Sequence, residues 1–148
     1  MTDYPIRFFA EAAHVRRLCE GMLGRCLPKE EWTHEAHLAA CLWLIDERPD
    51  FDCAAELPAA IAGYNESVGG QNTDSAGYHE TITQLYVIGI RLFARACPED
   101  GLPERVNALL ASPIAARDWP LRFYSAERLF SVEARRGWVE PDVSPILL

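Results

Sequence analysis

Thr33-His34-Glu35-Ala36-His37-Leu38-Ala39-Ala40-Cys41-Leu42-Trp43-Leu44-Ile45-Asp46-Glu47 is the stretch that decides how this chain folds. Thr33 offers the side-chain oxygen that caps a helix start, and Pro49 bars helical continuation past the residue before it. Between these limits, residues 38–45 are apolar all round a 3.6-residue period. A helix of that kind is buried on every side, so the rest of the chain must supply the elements that surround it. The apolar run is far too short to span a bilayer, which takes about 20 residues. Trp32, just ahead of the cap, is placed to staple back onto His37 or Leu38.

Working outward, every neighbouring segment also reads as helix. Residues 6–23 carry Phe8, Ala12, Val15, Leu18, Cys19 and Met22 near one stripe and stop at Gly21, Gly24 and Pro28. Residues 53–67 form a third helix in which Pro58 predicts either a later start or a kink. The longest polar loop, residues 69–77, is rich in side chains that hydrogen-bond the backbone. A fourth helix over 78–96 keeps the 3.6 period through Ile82, Leu85, Tyr86, Gly89, Leu92 and Phe93. A short helix over 103–111 follows. From residue 112 onward Pro113, Pro120, Pro141 and Pro145 break the chain into brief turns, with Ser125 and Ser131 as caps. The aromatic side chains of this tail predict that it wraps over the bundle. The expectation is an all-α fold with about four core helices, in a single domain over residues 1–148.

The composition narrows the partners. An apolar fraction of 49% and a charged fraction of 24% suit a globular protein in water. With 14 basic against 22 acidic residues the formal net charge is −8, which disfavours nucleic acid and anionic membrane surfaces. A small molecule or another protein, including a second copy of the chain, is the expected partner. The five cysteines are odd in number and without paired spacing, as reduced thiols would be. Asp3, Arg7 and Glu11 leave the start of the chain without the apolar segment of a secretory leader, so the expected location is the cytoplasm.

Three of the four histidines fall in two clusters at helix starts: His34 and His37, then Gly77-Tyr78-His79-Glu80-Thr81. Imidazoles three apart on a helix share a face. His34, His37 and His79 are therefore candidate ligands of a divalent transition metal, zinc first, with an open position for substrate. Glu80 and His79 are the candidate acid/base groups of a metal-dependent hydrolytic or proton-transfer enzyme. Adjacent helical residues point about 100° apart, so His79 and Glu80 are not expected to serve one point equally. Tyr64, Asn65, Tyr78 and Thr81 are the candidate substrate-pocket residues.

The alternative is a metal-free polar pocket in a ligand-binding, regulatory or protein-interaction module, with Glu80 present only because helix starts favour acidic side chains. A further pairing, Glu11 with His14 and Glu31 with His34, repeats the Glu-x-x-His unit of di-iron bundles, but Glu31 lies outside the capped helix. No glycine-rich phosphate loop, nucleophile elbow or H-E-x-x-H motif is present.

The order Thr33-His34-x-x-His37-Leu38, Tyr64-Asn65, Gly77-Tyr78-His79-Glu80-Thr81, Tyr124-Ser125, Leu129-Phe130-Ser131 and Trp138-Val139-Glu140-Pro141-Asp142 resembles a family of short bacterial proteins without an assigned reaction. The resemblance covers most of the chain from residue 32 and implies one compact domain. It implies no chemistry.

Overall fold

The buried helix expected around Leu38–Ile45 lies at the centre of the computed structural model, which describes residues 7–146. Among these residues every regular element is helical. Helix α2 (His34–Glu47) begins where Thr33 Oγ1 accepts the Ala36 amide at 3.1 Å, and Ala36 together with every residue from Leu38 to Leu44 is buried. Helices α1 (Ala12–Leu23), α4 (Glu80–Ala96) and α5 (Leu102–Leu110) pack against it. Helix α3 (Cys53–Ser67) packs against α1, α2 and α4. The Arg105 guanidinium closes the α5 side with a two-pronged bond to Asp46, at 2.7 and 3.1 Å.

Helix α1 starts at Ala12 and not at residue 6. Ile6 lies outside the described residues, and the segment after it is held by a different interaction. Asn107 accepts the Phe9 amide at 2.9 Å and donates to the Phe9 carbonyl at 2.7 Å, as a paired strand would. With both backbone groups of Phe9 engaged there, the chain bends at Ala10 and the helix begins only after Glu11, whose backbone is extended. Helix α5 runs one residue earlier than expected at each end, with Pro103 in its first turn.

Pro58 neither delays α3 nor ends it. Asp52 Oδ1 caps Ala55, and Glu56 Oε2 accepts the Asp52 amide in return. A proline at 58 has no N–H for the carbonyl of Ala54, four residues back. Gln84 of α4 supplies the missing donor, its Nε2 lying 2.9 Å from that carbonyl oxygen.

The expected Pro-punctuated tail forms two 3-10 turns, Pro113–Ala115 and Trp119–Arg122, then α6 (Ala126–Leu129) and α7 (Val132–Arg136). Ser125 and Ser131 cap the last two, accepting from the Arg128 and Ala134 amides. Trp119, Phe123 and Tyr124 are buried, whereas Phe130 is 61% exposed. Trp119 fits because α4 has glycine at 89: a Cβ there would stand 2.5 Å from the indole. No described helix is long and apolar enough to cross a membrane.

Candidate functional site

Helices α2, α3 and α4 enclose a cavity of about 570 Å3. Each helix gives it one face, spaced as 3.6 residues per turn requires. From α2 come His34, His37, Leu38 and Cys41; from α3, Leu57, Ile61, Tyr64, Asn65 and Val68; from α4, Ile82, Thr83, Tyr86, Val87 and Ile90, with the capping His79 just ahead. The lining is predominantly apolar, with most of its polar groups near the starts of α2 and α4 and the end of α3.

The three clustered histidines all reach this cavity, and their ring nitrogens are in three different situations. His79 is the N-cap of α4. Its Nδ1 accepts the Ile82 amide at 3.2 Å and its Nε2 donates to the Leu129 carbonyl at 2.7 Å. Both nitrogens are used, which also fixes the tautomer. Burial holds its pKa below the usual histidine range. His34 donates Nε2–H to the Ala115 carbonyl at 2.8 Å, leaving Nδ1 as an acceptor.

His37 has no hydrogen-bond partner among the described residues; its one ring contact is a tilted stack on Trp32, centroids 4.1 Å apart. Desolvation, reinforced by the neighbouring His34, pushes its pKa down to about 3. At neutral pH it is therefore an uncharged imidazole with one donor and one acceptor, both unused. The staple expected of Trp32 is present, and its partner is His37.

No three His, Cys, Asp or Glu side chains among the described residues come together as a metal site would require. His34, His37 and His79 share a cavity, but they do not converge on one point. Glu80 is turned elsewhere, as the 100° step from His79 demands. It lines a second hollow with Asn72, Asp74, Arg135 and Arg136, where it accepts the Tyr78 hydroxyl at 2.5 Å. The Glu-x-x-His pairs are also dispersed: Glu31 accepts Arg17 at 2.6 Å, and His14 lies against the Phe9 ring. Glu35 is buried away from the cavity, 3.6 Å from Arg7.

Of the four expected pocket residues, Tyr64, Asn65 and Tyr78 line the cavity and Thr81 does not. Tyr64 donates its hydroxyl to the Leu27 carbonyl at 2.9 Å. Asn65 donates to Asn72 Oδ1 at 2.8 Å, and that same oxygen accepts the Tyr78 amide at 2.9 Å. Asn72 Nδ2 donates to the Ala62 carbonyl, so one side chain ties the end of α3 to the approach to α4. Gly77 permits this closure: its φ is +82°, and a Cβ would lie 2.2 Å from the Gln71 carbonyl oxygen. Thr81 is fully buried on the opposite side. It donates to the Gly137 carbonyl at 2.8 Å and accepts the Val139 amide at 3.2 Å.

Sequence reasoning missed Tyr86 and the cations Lys29 and Arg117 as lining residues. Tyr86 was findable, since it lies seven positions after His79 on the same helical face. Lys29 and Arg117 sit in short turns of no fixed period and had no such signal. No family model, curated protein or solved structure matches the chain.

Proposed function

We propose that the protein binds a small, mainly apolar molecule in the cavity between α2, α3 and α4, and that His37 supplies the hydrogen bond that orients it. The observation that carries this reading is the uncharged imidazole of His37, which no described residue bonds, in a predominantly apolar cavity. The His37 ring is half-buried, and a ligand group bonded to it would supply the partner that no described residue provides. The cavity volume falls in the range of small-molecule sites, about 300–1,000 Å3, and aromatic walls with a few polar groups are the usual lining.

Binding is favoured over acid/base catalysis by the same imidazole. A general base works best with a pKa near the working pH, and His37 titrates near 3. A metal held by His34, His37 and His79 would require His79 to give up either the Ile82 cap or the Leu129 carbonyl, whichever nitrogen became the ligand. The five cysteines, none of them in a disulfide, agree with a cytoplasmic location.

The test is a fragment screen by thermal shift, followed by 15N observation of the histidine rings. Fragments that raise the Tm should move the His37 ring resonances. The conservative replacement His37→Phe should weaken a ligand bonded to that ring by about tenfold, the equivalent of 1.4 kcal/mol. Stabilising fragments that leave the His37 resonances unmoved would overturn the assignment.

A further inference from the structure

The same cavity has a charge pattern that runs against the rest of the chain, and from it we infer that its ligand is an amphipathic monocarboxylate, with the carboxylate at the end formed by Lys29, His37 and Arg117 and the apolar body against α3 and α4. This rests on the binding reading above and adds the chemical class of the ligand.

The chain carries 22 acidic residues among 148, yet none of the residues that line the cavity is Asp or Glu. Its lining includes two cations instead, Lys29 and Arg117. Glu30 and Glu31 act on Tyr64, and Asp118 on Tyr86, but none of the three lines the cavity. Glu31, the acidic neighbour of Lys29, is turned away to Arg17. The Lys29 ammonium is therefore not neutralised by the glutamate two residues on. Arg117 lines the same cavity but has a partner of its own, so the charge offered to a ligand is that of Lys29.

Both cations belong to the end of the cavity where the imidazoles lie. Lys29 opens the 3-10 turn that leads into Trp32, the ring stacked on His37. Arg117 follows Ala115 and Ala116, whose carbonyls accept His34 at 2.8 Å and the Tyr86 hydroxyl at 3.4 Å. The opposite wall, with Leu57, Ile61 and Ile90, carries no charge. One end thus offers the Lys29 ammonium and the N–H of a His37 ring that no described residue bonds, and the other offers only apolar surface. A single carboxylate matches that end in charge and in acceptor geometry. An ammonium placed there would face the like charge of Lys29 as it lost its water, which disfavours it.

Isothermal titration with 4-phenylbutyrate, 4-phenylbutan-1-ol and 4-phenylbutylamine separates the outcomes, since the three share one apolar body and differ in charge. At low ionic strength the carboxylate is expected to bind about tenfold more tightly than the amine, with the alcohol between them. Lys29 is exposed, so K29Q and K29E should fold as the parent does. K29Q should remove most of the carboxylate's advantage over the alcohol, and K29E should bring the amine level with the carboxylate. An amine that binds as tightly as the carboxylate, or a carboxylate preference untouched in K29E, overturns the charge assignment and leaves the cavity reading standing. If none of the three binds, and octanoate and octylamine also fail, the cavity reading falls and this inference falls with it.

Discussion

His34 and His37 sit one turn apart on the same helix, and their surroundings make them chemically different. His34 gives its proton to a backbone carbonyl; His37 gives its proton to nothing and stays neutral far below its ordinary pKa. That depression is also a statement about stability. The unfolded chain takes up a proton at this residue near pH 6.5, whereas the folded chain does so only near 3. Between those values the unfolded state binds more protons. Stability contributed by the residue is therefore present above pH 6.5 and is lost as pH falls toward 3, at about 1.4 kcal/mol per pH unit. Urea unfolding at pH 6.5 and pH 5 should show the parent losing about 1–2 kcal/mol more than His37→Gln over that interval. His79 shifts in the same direction and is present in both proteins, so it cancels from the comparison. Equal losses in the two proteins would show that the His37 ring is solvated. At this scale the sequence disclosed that His34, His37 and His79 meet at one cavity with Tyr64, Asn65 and Tyr78, and it disclosed nothing about which nitrogen stays unpaired.

Elements were largely legible. Thr33, Asp52, Ser125 and Ser131 cap helices through their own side chains, and caps and periodicity are local properties. Two boundaries depended on distant groups. The start of α1 is set by Asn107, which holds the Phe9 backbone from α5. Pro58 is tolerated inside α3 because Gln84 of α4 bonds the carbonyl that proline leaves without a donor. This gives a double-mutant cycle. Gln84→Ala should cost about 1–2 kcal/mol in the parent, because the Ala54 carbonyl loses its partner. In a Pro58→Ala background the alanine N–H can bond that carbonyl, and the same change should cost markedly less, with a coupling of about 1 kcal/mol. Chemical denaturation of the four proteins measures it. Additive losses would mean that the Gln84 bond and the Pro58 gap are unrelated.

Across the whole molecule, the returning tail makes the cavity's supports one structure. Thr81 in the first turn of α4 holds residues 137 and 139, and the Tyr124 hydroxyl donates to the Val139 carbonyl at 2.7 Å. Arg135 of α7 donates to the carbonyl of Gly77 at 2.9 Å, beside the cavity. Leu129, between these contacts, provides the carbonyl that occupies His79. Replacing Thr81 by valine keeps the shape and strands both a carbonyl and an amide, at a cost of about 1–3 kcal/mol. Hydrogen exchange should then quicken at the Val139 amide and at the Ile82 amide under the His79 cap, while the amides of α1 keep their relative protection. Faster exchange confined to Val139 would show that the tail and the α4 start are not coupled.

The sequence by itself determined the class of fold, because a helix apolar on all faces at residues 38–45 must be surrounded and the neighbouring segments carry the helical period. It also determined which faces meet at the cavity, since those faces follow the 3.6 period from His34, Tyr64 and His79. Only the tertiary structure decided the roles of the polar groups there. The partners that engage His34, His79 and Tyr64 are the backbone carbonyls of Ala115, Leu129 and Leu27. Every residue type carries the same carbonyl, so no pattern of side chains records which one will arrive opposite a given ring.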